Sequence, residues 1–145
     1  MSEKSPAPAG APKRAEPESL RGRLAVSLTV KDLQKSLAWY TEVVGFTVER
    51  TIEREGKVRG YSLVAGTVRL GINQDDGAKG WERVKGEGFS FNITTDQSVD
   101  EIASRIKQRG GTLETEPKDM PWGARVFRLR DPDGYKLAIS SERKG

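Results

Sequence analysis

Residues 24–46 read LAVSLTVKDLQKSLAWYTEVVGF, and two periodicities meet at Asp32. Before it, Leu24, Val26, Leu28 and Val30 alternate with Ala25, Ser27 and Thr29, the pattern of a half-buried strand. Beyond it, Leu33, Leu37, Tyr40 and Val44 recur every three or four positions, the apolar stripe of a helix. Asp32 is placed to cap that helix and Gly45 to end it. Strand-like runs follow at 46–52, 59–65 and 67–73, and then a polar Gly/Asp/Lys linker over 74–86.

The same order then repeats. Phe89, Phe91 and Ile93 alternate with Ser90, Asn92 and Thr94, predicting a new strand whose aromatic side faces a helix. Ser98 and Glu101 form a capping box for that helix, with Val99, Ile102 and Ile106 inward and Gly110-Gly111 at its end. Strands are expected at 112–115, 125–130 and 135–140, the last two joined by a DPDG turn. The chain is thus βαβββ twice, a duplication of about sixty residues. The expectation is one α+β domain at 23–145, built of modules at 23–75 and 86–142. A Pro/Ala/charged tail, 1–22, has too little apolar surface to offset its ordering entropy and is expected to be flexible.

Composition narrows the function. The 145 residues include no histidine and no cysteine, which removes the commonest neutral metal ligand, the usual general base, thiolates and disulfides. The 25 basic and 21 acidic residues are interleaved, with no Lys/Arg block or recognition helix, so the net charge of +4 does not point to nucleic acid. No apolar run approaches the length of a membrane span, and the first residues lack the apolar centre of a secretory signal. The expected location is the cytoplasm.

The duplicated unit, the opening LTVKDLQKSLAWYTEVVGF (28–46) and the ending FRLRDPDGYKLAI (127–139) together resemble the vicinal oxygen chelate superfamily of glyoxalases, extradiol dioxygenases and bleomycin-resistance proteins. The likeness covers 23–142. It implies two βαβββ modules whose mixed sheets curve into a cup, often completed by a second chain. It also implies His or Glu ligands for a metal at four places on the cup strands. Alternation puts those places at Ala25, Gly71, Gly88 (or Phe89 after a one-residue slip) and Ala138, none of which ligates through its side chain. The family's metal site is therefore expected to be vacant and no cofactor is expected. Glu49 and Glu87 stand near candidate strands as the remaining oxygen donors.

Small residues at the vacated places leave either open volume for a bulky organic ligand or space into which neighbours collapse. The same faces would present Ser27, Thr29, Arg69, Asn73, Ser90, Asn92 and Ser140, a set able to orient a ligand by hydrogen bonds. Arg69 suits a carboxylate, a phosphate or an aromatic face, unless an intrachain acid such as Glu49 takes it. Trp122, Trp81 and Tyr61 are the expected stacking groups, whereas Trp39 belongs to packing. The expected function is metal-free, dimeric binding of an aromatic compound or antibiotic, neutral or anionic because the chain is basic. The alternative is an enzyme, either metal-independent with Glu49 as base or using carboxylates to hold a metal.

Overall fold

The structure is a computed structural model and describes residues 19–143; the expected tail lies outside them except for 19–22. Strand β1 (Ala25–Val30) leads into helix α1 (Leu33–Ala38), which continues as π-helical turns over Trp39–Val44. Strands β2 (Thr47–Arg54), β3 (Lys57–Ala65) and β4 (Val68–Gln74) complete the first module. The second has β5 (Ser90–Thr95), α2 (Val99–Gln108), β6 (Leu113–Asp119), β7 (Arg125–Arg130) and β8 (Lys136–Ser141). Each module is a four-stranded mixed sheet, in the orders β1-β4-β3-β2 and β5-β8-β7-β6. The parallel pairs are β1 with β4 and β5 with β8, and the other pairs are antiparallel.

Local signals explain the boundaries. The Asp32 carboxylate accepts from the Lys35 N–H at 3.1 Å and Ser98 Oγ from the Glu101 N–H at 3.2 Å, capping both helices as their sequences require. Gly45, at φ 115°, accommodates the left-handed exit from the first helix, a conformation costly for any residue with a Cβ. Its π-helical second half was not legible, because an apolar stripe at 33, 37, 40 and 44 fits either winding. Strand β6 runs to Asp119, past the expected end at 115, and tolerates Pro117 because it is the outer strand of its sheet.

Both modules contribute to one core. Leu28, Val30, Leu63, Leu70 and Ile72 from the first sheet are continuous with Ile106, Phe127, Leu129, Leu137 and Ile139 from the second module, with Tyr40 and Phe46 between them. Full burial of such side chains stabilises by about 1.5–3 kcal/mol each. The modules meet through their helix-bearing sides. Tyr40 donates its hydroxyl proton to Asp131 Oδ2 at 2.7 Å, and Tyr135 donates to the Thr29 carbonyl at 2.9 Å. The Lys31 N–H donates to Asp133 at 2.9 Å. Gly111 packs so closely that a Cβ there would stand 2.7 Å from Val43 Cγ1.

The linker departs from its polar composition. Asp75 and Lys85 are buried, with the Lys85 ammonium 2.9 Å from Asp75 and 3.1 Å from Asp133. One cation thus ties the end of β4 to the DPDG turn of the other module. Two apolar positions also depart from expectation. Leu24 is 81% exposed, because the β1–β4 ladder begins at Ala25. Phe89 stands before β5 and is exposed: Gly86 and Gly88 both have positive φ, and Phe89 N–H bonds to the Gly86 carbonyl, so a turn delays the strand to Ser90.

Candidate functional site

With the helices on one side of each sheet, alternation leaves Ala25, Ser27 and Thr29 of β1 on the other, open side. Across the ladder their partners are Arg69, Gly71 and Asn73 of β4, and beyond Gly71 and Asn73 lie Ser62 and Gly60 of β3. A register shift in β2 between Val48 and Arg50 lets both Glu49 and Arg50 border this face. The result is a hollow of about 540 Å³ lined by Ser27, Glu49, Arg50, Ser62, Arg69, Gly71 and Asn73 among others. That volume is within the range of small-molecule sites.

Its polar groups are already partly arranged. Asn73 Nδ2 donates to Ser27 Oγ at 2.9 Å, and a Cβ on Gly60 would meet Asn73 Oδ1 at 2.6 Å, so glycine there makes room for the amide. Arg69 donates to Glu49 Oε1. That bond, the Arg69 charge and Arg50 nearby hold the Glu49 carboxyl below its usual range against a smaller effect of desolvation. Arg69 is therefore placed on the open face as expected, but with its charge satisfied within the chain.

The second sheet repeats the pattern with different chemistry. Its open face carries Ser90, Asn92 and Thr94 on β5, opposite Lys136, Ala138 and Ser140 on β8. Arg130, Arg128 and Val126 of β7 complete the three rows. Ala124, Val126 and Ala138 form a small apolar floor, covered by Met120 from the β6–β7 turn. Arg130 is taken by Glu114, Nε to Oε2, at 2.9 Å.

The pseudo-repeat shows which residues are equivalent between the modules at the expected ligand places. Ala25 opens β1 opposite Arg69, two residues before Gly71; Ser90 opens β5 opposite Lys136, two residues before Ala138. The repeat equivalent of Ala25 is accordingly Ser90, whereas Gly88, expected at that place, has a φ of 75° and lies in the preceding turn. Ala25, Gly71, Ser90 and Ala138 offer one hydroxyl and no carboxylate or imidazole. Glu49 is engaged by Arg69, and Glu87 sits exposed in the turn before β5. Among the described residues no three His, Cys, Asp or Glu side chains gather into a group that could hold a metal ion. This donor set does not fit the divalent cation of the fold family.

The three expected stacking groups do not converge. Tyr61 pairs with the buried Ile72 on the helix side of its sheet and accepts from Gln34 Nε2 at 3.0 Å, so its ring is turned away from the open face. Trp81 borders a separate hollow of about 680 Å³ between α1, the linker and the DPDG turn, and its ring lies on Gly77, where a Cβ would stand 2.4 Å away. The charged walls of that hollow are largely committed, with Lys31 to Glu82 and Lys85 to Asp133. Trp122 caps the β6–β7 turn, half exposed, two residues from Met120. Sequence reasoning missed Arg128, Lys136 and the Met120 floor, although Arg128 lies between the buried Phe127 and Leu129 and alternation alone turns it outward.

The first hollow is lined wholly by first-module residues and the apolar floor wholly by second-module residues. The modules meet on their helix sides, so the two open faces are not halves of one cavity within the chain.

A family model described as "Glyoxalase/Bleomycin resistance protein/Dioxygenase superfamily" matches residues 22–139. The chain is 29% identical over 122 residues to a lactoylglutathione lyase of Salmonella typhimurium, covering 80% of this chain and 89% of that one. Among solved structures it is similar to TioX of Micromonospora sp. ML1, with a TM-score of 0.67 at 20% identity over 83% of this chain and 98% of that one. It is also similar to TnmS3, an antibiotic binding protein from Streptomyces sp. CB03234, with a TM-score of 0.65 at 23% identity over 86% and 98% of the two chains. These structural likenesses show a shared fold.

Proposed function

The chain belongs to the glyoxalase/bleomycin-resistance protein/dioxygenase superfamily, and within it we propose a cytoplasmic, homodimeric binding protein that sequesters an aromatic compound or antibiotic without a metal. The observation that carries this reading is the chemistry of the four family places. Ala25, Gly71, Ser90 and Ala138 supply no ligand set, while the surfaces around them keep hydroxyls, amides and guanidiniums suited to an organic molecule. Sequestration requires affinity and no turnover, so the lost metal ligands leave it intact. The antibiotic-binding description of TnmS3, a protein of the same fold, is consistent with it.

The dimer is part of the proposal. Strands β1 and β5 are each an outer strand of their sheet, and among the described residues no further strand pairs with that edge. The open faces, turned away from the junction, are complete only against another copy. A monomer in sedimentation at micromolar concentration would overturn this part.

A second reading is enzymatic, since the Salmonella typhimurium relative is named as a lyase. The base for it would be Glu49, and the Arg69 bond that depresses this carboxyl also makes it a weak proton acceptor near neutral pH. The test is a thermal-shift screen with flat aromatic antibiotics and aromatic acids, with divalent metals and chelator alongside. A bound ligand at one hundred times its Kd adds about 2.7 kcal/mol of stability. A shift with an organic ligand and none with metal is expected; a shift with metal alone would overturn the reading.

A further inference from the structure

We propose that the molecule taken up by the second module's open face carries an anionic group and that Arg128 selects it; this rests on the binding reading above. The other arginines of known pairing on the two faces are committed, Arg69 to Glu49 and Arg130 to Glu114. Arg128 is not. It stands half-buried at the centre of the second face, between Ala138 and Thr115 in the strand ladder, and among the described residues no side chain pairs with its guanidinium. Only its backbone N–H is engaged, donating to Thr115 Oγ1 at 3.0 Å. Lys136, one row away, is also half-buried and without an acid partner among the described residues.

A guanidinium partly withdrawn from water loses hydration that an anion restores, and its planar fork fits a carboxylate, sulfonate or phosphate through two parallel bonds. Next to it lies the floor of Ala124, Val126 and Ala138 under Met120. Those three residues are buried, and a flat ring reaches them by displacing the flexible thioether that covers them. Anionic pole and apolar floor side by side define an aromatic anion as the ligand class. At the place of Arg128 in the repeat the first face has Ser62, and its Arg50, beside Ser62 in the ladder, is exposed rather than half-buried.

The experiment compares two fluorescent probes with one ring system, 1-anilinonaphthalene-8-sulfonate and its uncharged counterpart N-phenyl-1-naphthylamine. The native protein is expected to bind the sulfonate more tightly by about tenfold or more, the worth of a charge-assisted hydrogen bond. Arg128→Gln should remove that preference and leave the uncharged probe unaffected, whereas Arg105→Gln, on the exposed side of α2, should change neither. Arg128→Lys, which keeps the charge and loses the fork, should retain part of the preference and serves if Arg128→Gln does not fold. Equal binding of both probes, or a sulfonate affinity untouched by both Arg128 variants, overturns the assignment while leaving the binding reading in place. Binding of neither probe overturns both.

Discussion

Replacing Tyr40 with Phe tests the polar joint that holds the modules together. Tyr40 is fully buried, and its hydroxyl donates to Asp131 Oδ2 at 2.7 Å. The other carboxylate oxygen accepts from the backbone N–H groups of Asp133 and Tyr135, each at 2.9 Å. Tyr40→Phe keeps the ring and its edge contacts to Trp39 and Phe46, and removes the only side-chain donor Asp131 has in these bonds. Burial holds the Tyr40 phenol protonated and raises the Asp131 carboxyl above its usual range, with the Tyr40 bond opposing that rise. A hydrogen bond to a charged group contributes about 1.5–3 kcal/mol. At about 2 kcal/mol, the unfolding midpoint of a chain this size should fall by about 7 °C.

The pH dependence follows from linkage. Because the folded carboxyl binds its proton more tightly than the unfolded one, native stability falls as pH rises through the window between the two pKa values. The variant, lacking the donor, has a still higher folded pKa. Its deficit relative to the native protein therefore opens as pH climbs above the native folded pKa of Asp131, and narrows on acidification, where both proteins carry a protonated carboxyl. Urea unfolding followed by tryptophan fluorescence from about pH 8 down to about pH 4.5 measures this. A deficit under about 0.5 kcal/mol, or one that grows toward acid, would refute the reasoning.

Lys85→Met leaves Asp75 and Asp133 facing each other without their shared cation, and the unfolding midpoint should drop by several degrees; adding Asp75→Asn should recover part of the loss, and no recovery would refute the pairing. Gly111→Ala puts a methyl group 2.6 Å from Ile106 Cγ2 and 2.7 Å from Val43 Cγ1, so overpacking should cost about 1–3 kcal/mol by urea titration. Gly77→Ala meets both a φ of 75° and the Trp81 ring, and should shift tryptophan emission to the red as the indole is displaced into water. Breaking the first-face pair with Glu49→Gln should free Arg69 and strengthen binding of anionic aromatic probes there, read by fluorescence titration; weaker binding would mean that Glu49 itself contacts the probe.

Wherever periodicity and caps decide structure, the sequence sufficed: the alternation through β1, the Asp32 and Ser98 caps, and the DPDG turn all survive in the fold. Alternation misled where it ran past the ladder. Phe89 continues the rhythm of Phe91 and Ile93, yet two glycines with positive φ fold it into a turn, so the repeat equivalent of Ala25 is Ser90 and not Gly88. Tyr61 reads as a half-buried strand residue on either face, and its pairing with Ile72 is what settles it. Trp81 and Trp122 sit in loops, where no period constrains direction. Lys85 lies in a segment whose composition signals solvent; its acid partners, Asp75 in the same segment and Asp133 far away in sequence, explain its burial.

The junction and the binding faces are mechanically one problem. Tyr40–Asp131, Tyr135–Thr29 and the Lys85 cluster all lie on the helix side, and each joins a residue of one module to one of the other. They fix the angle between the sheets, and through it the direction in which each open face points. In the proposed dimer a shared cup would place the first face of one copy against the second face of its partner, and the width of that cup would depend on this angle. If the chain binds its ligand without a metal, as proposed, the buried polar joint is what gives the faces their geometric definition. On that view Tyr40→Phe and Lys85→Met should weaken probe binding as well as stability, although neither residue borders either open face.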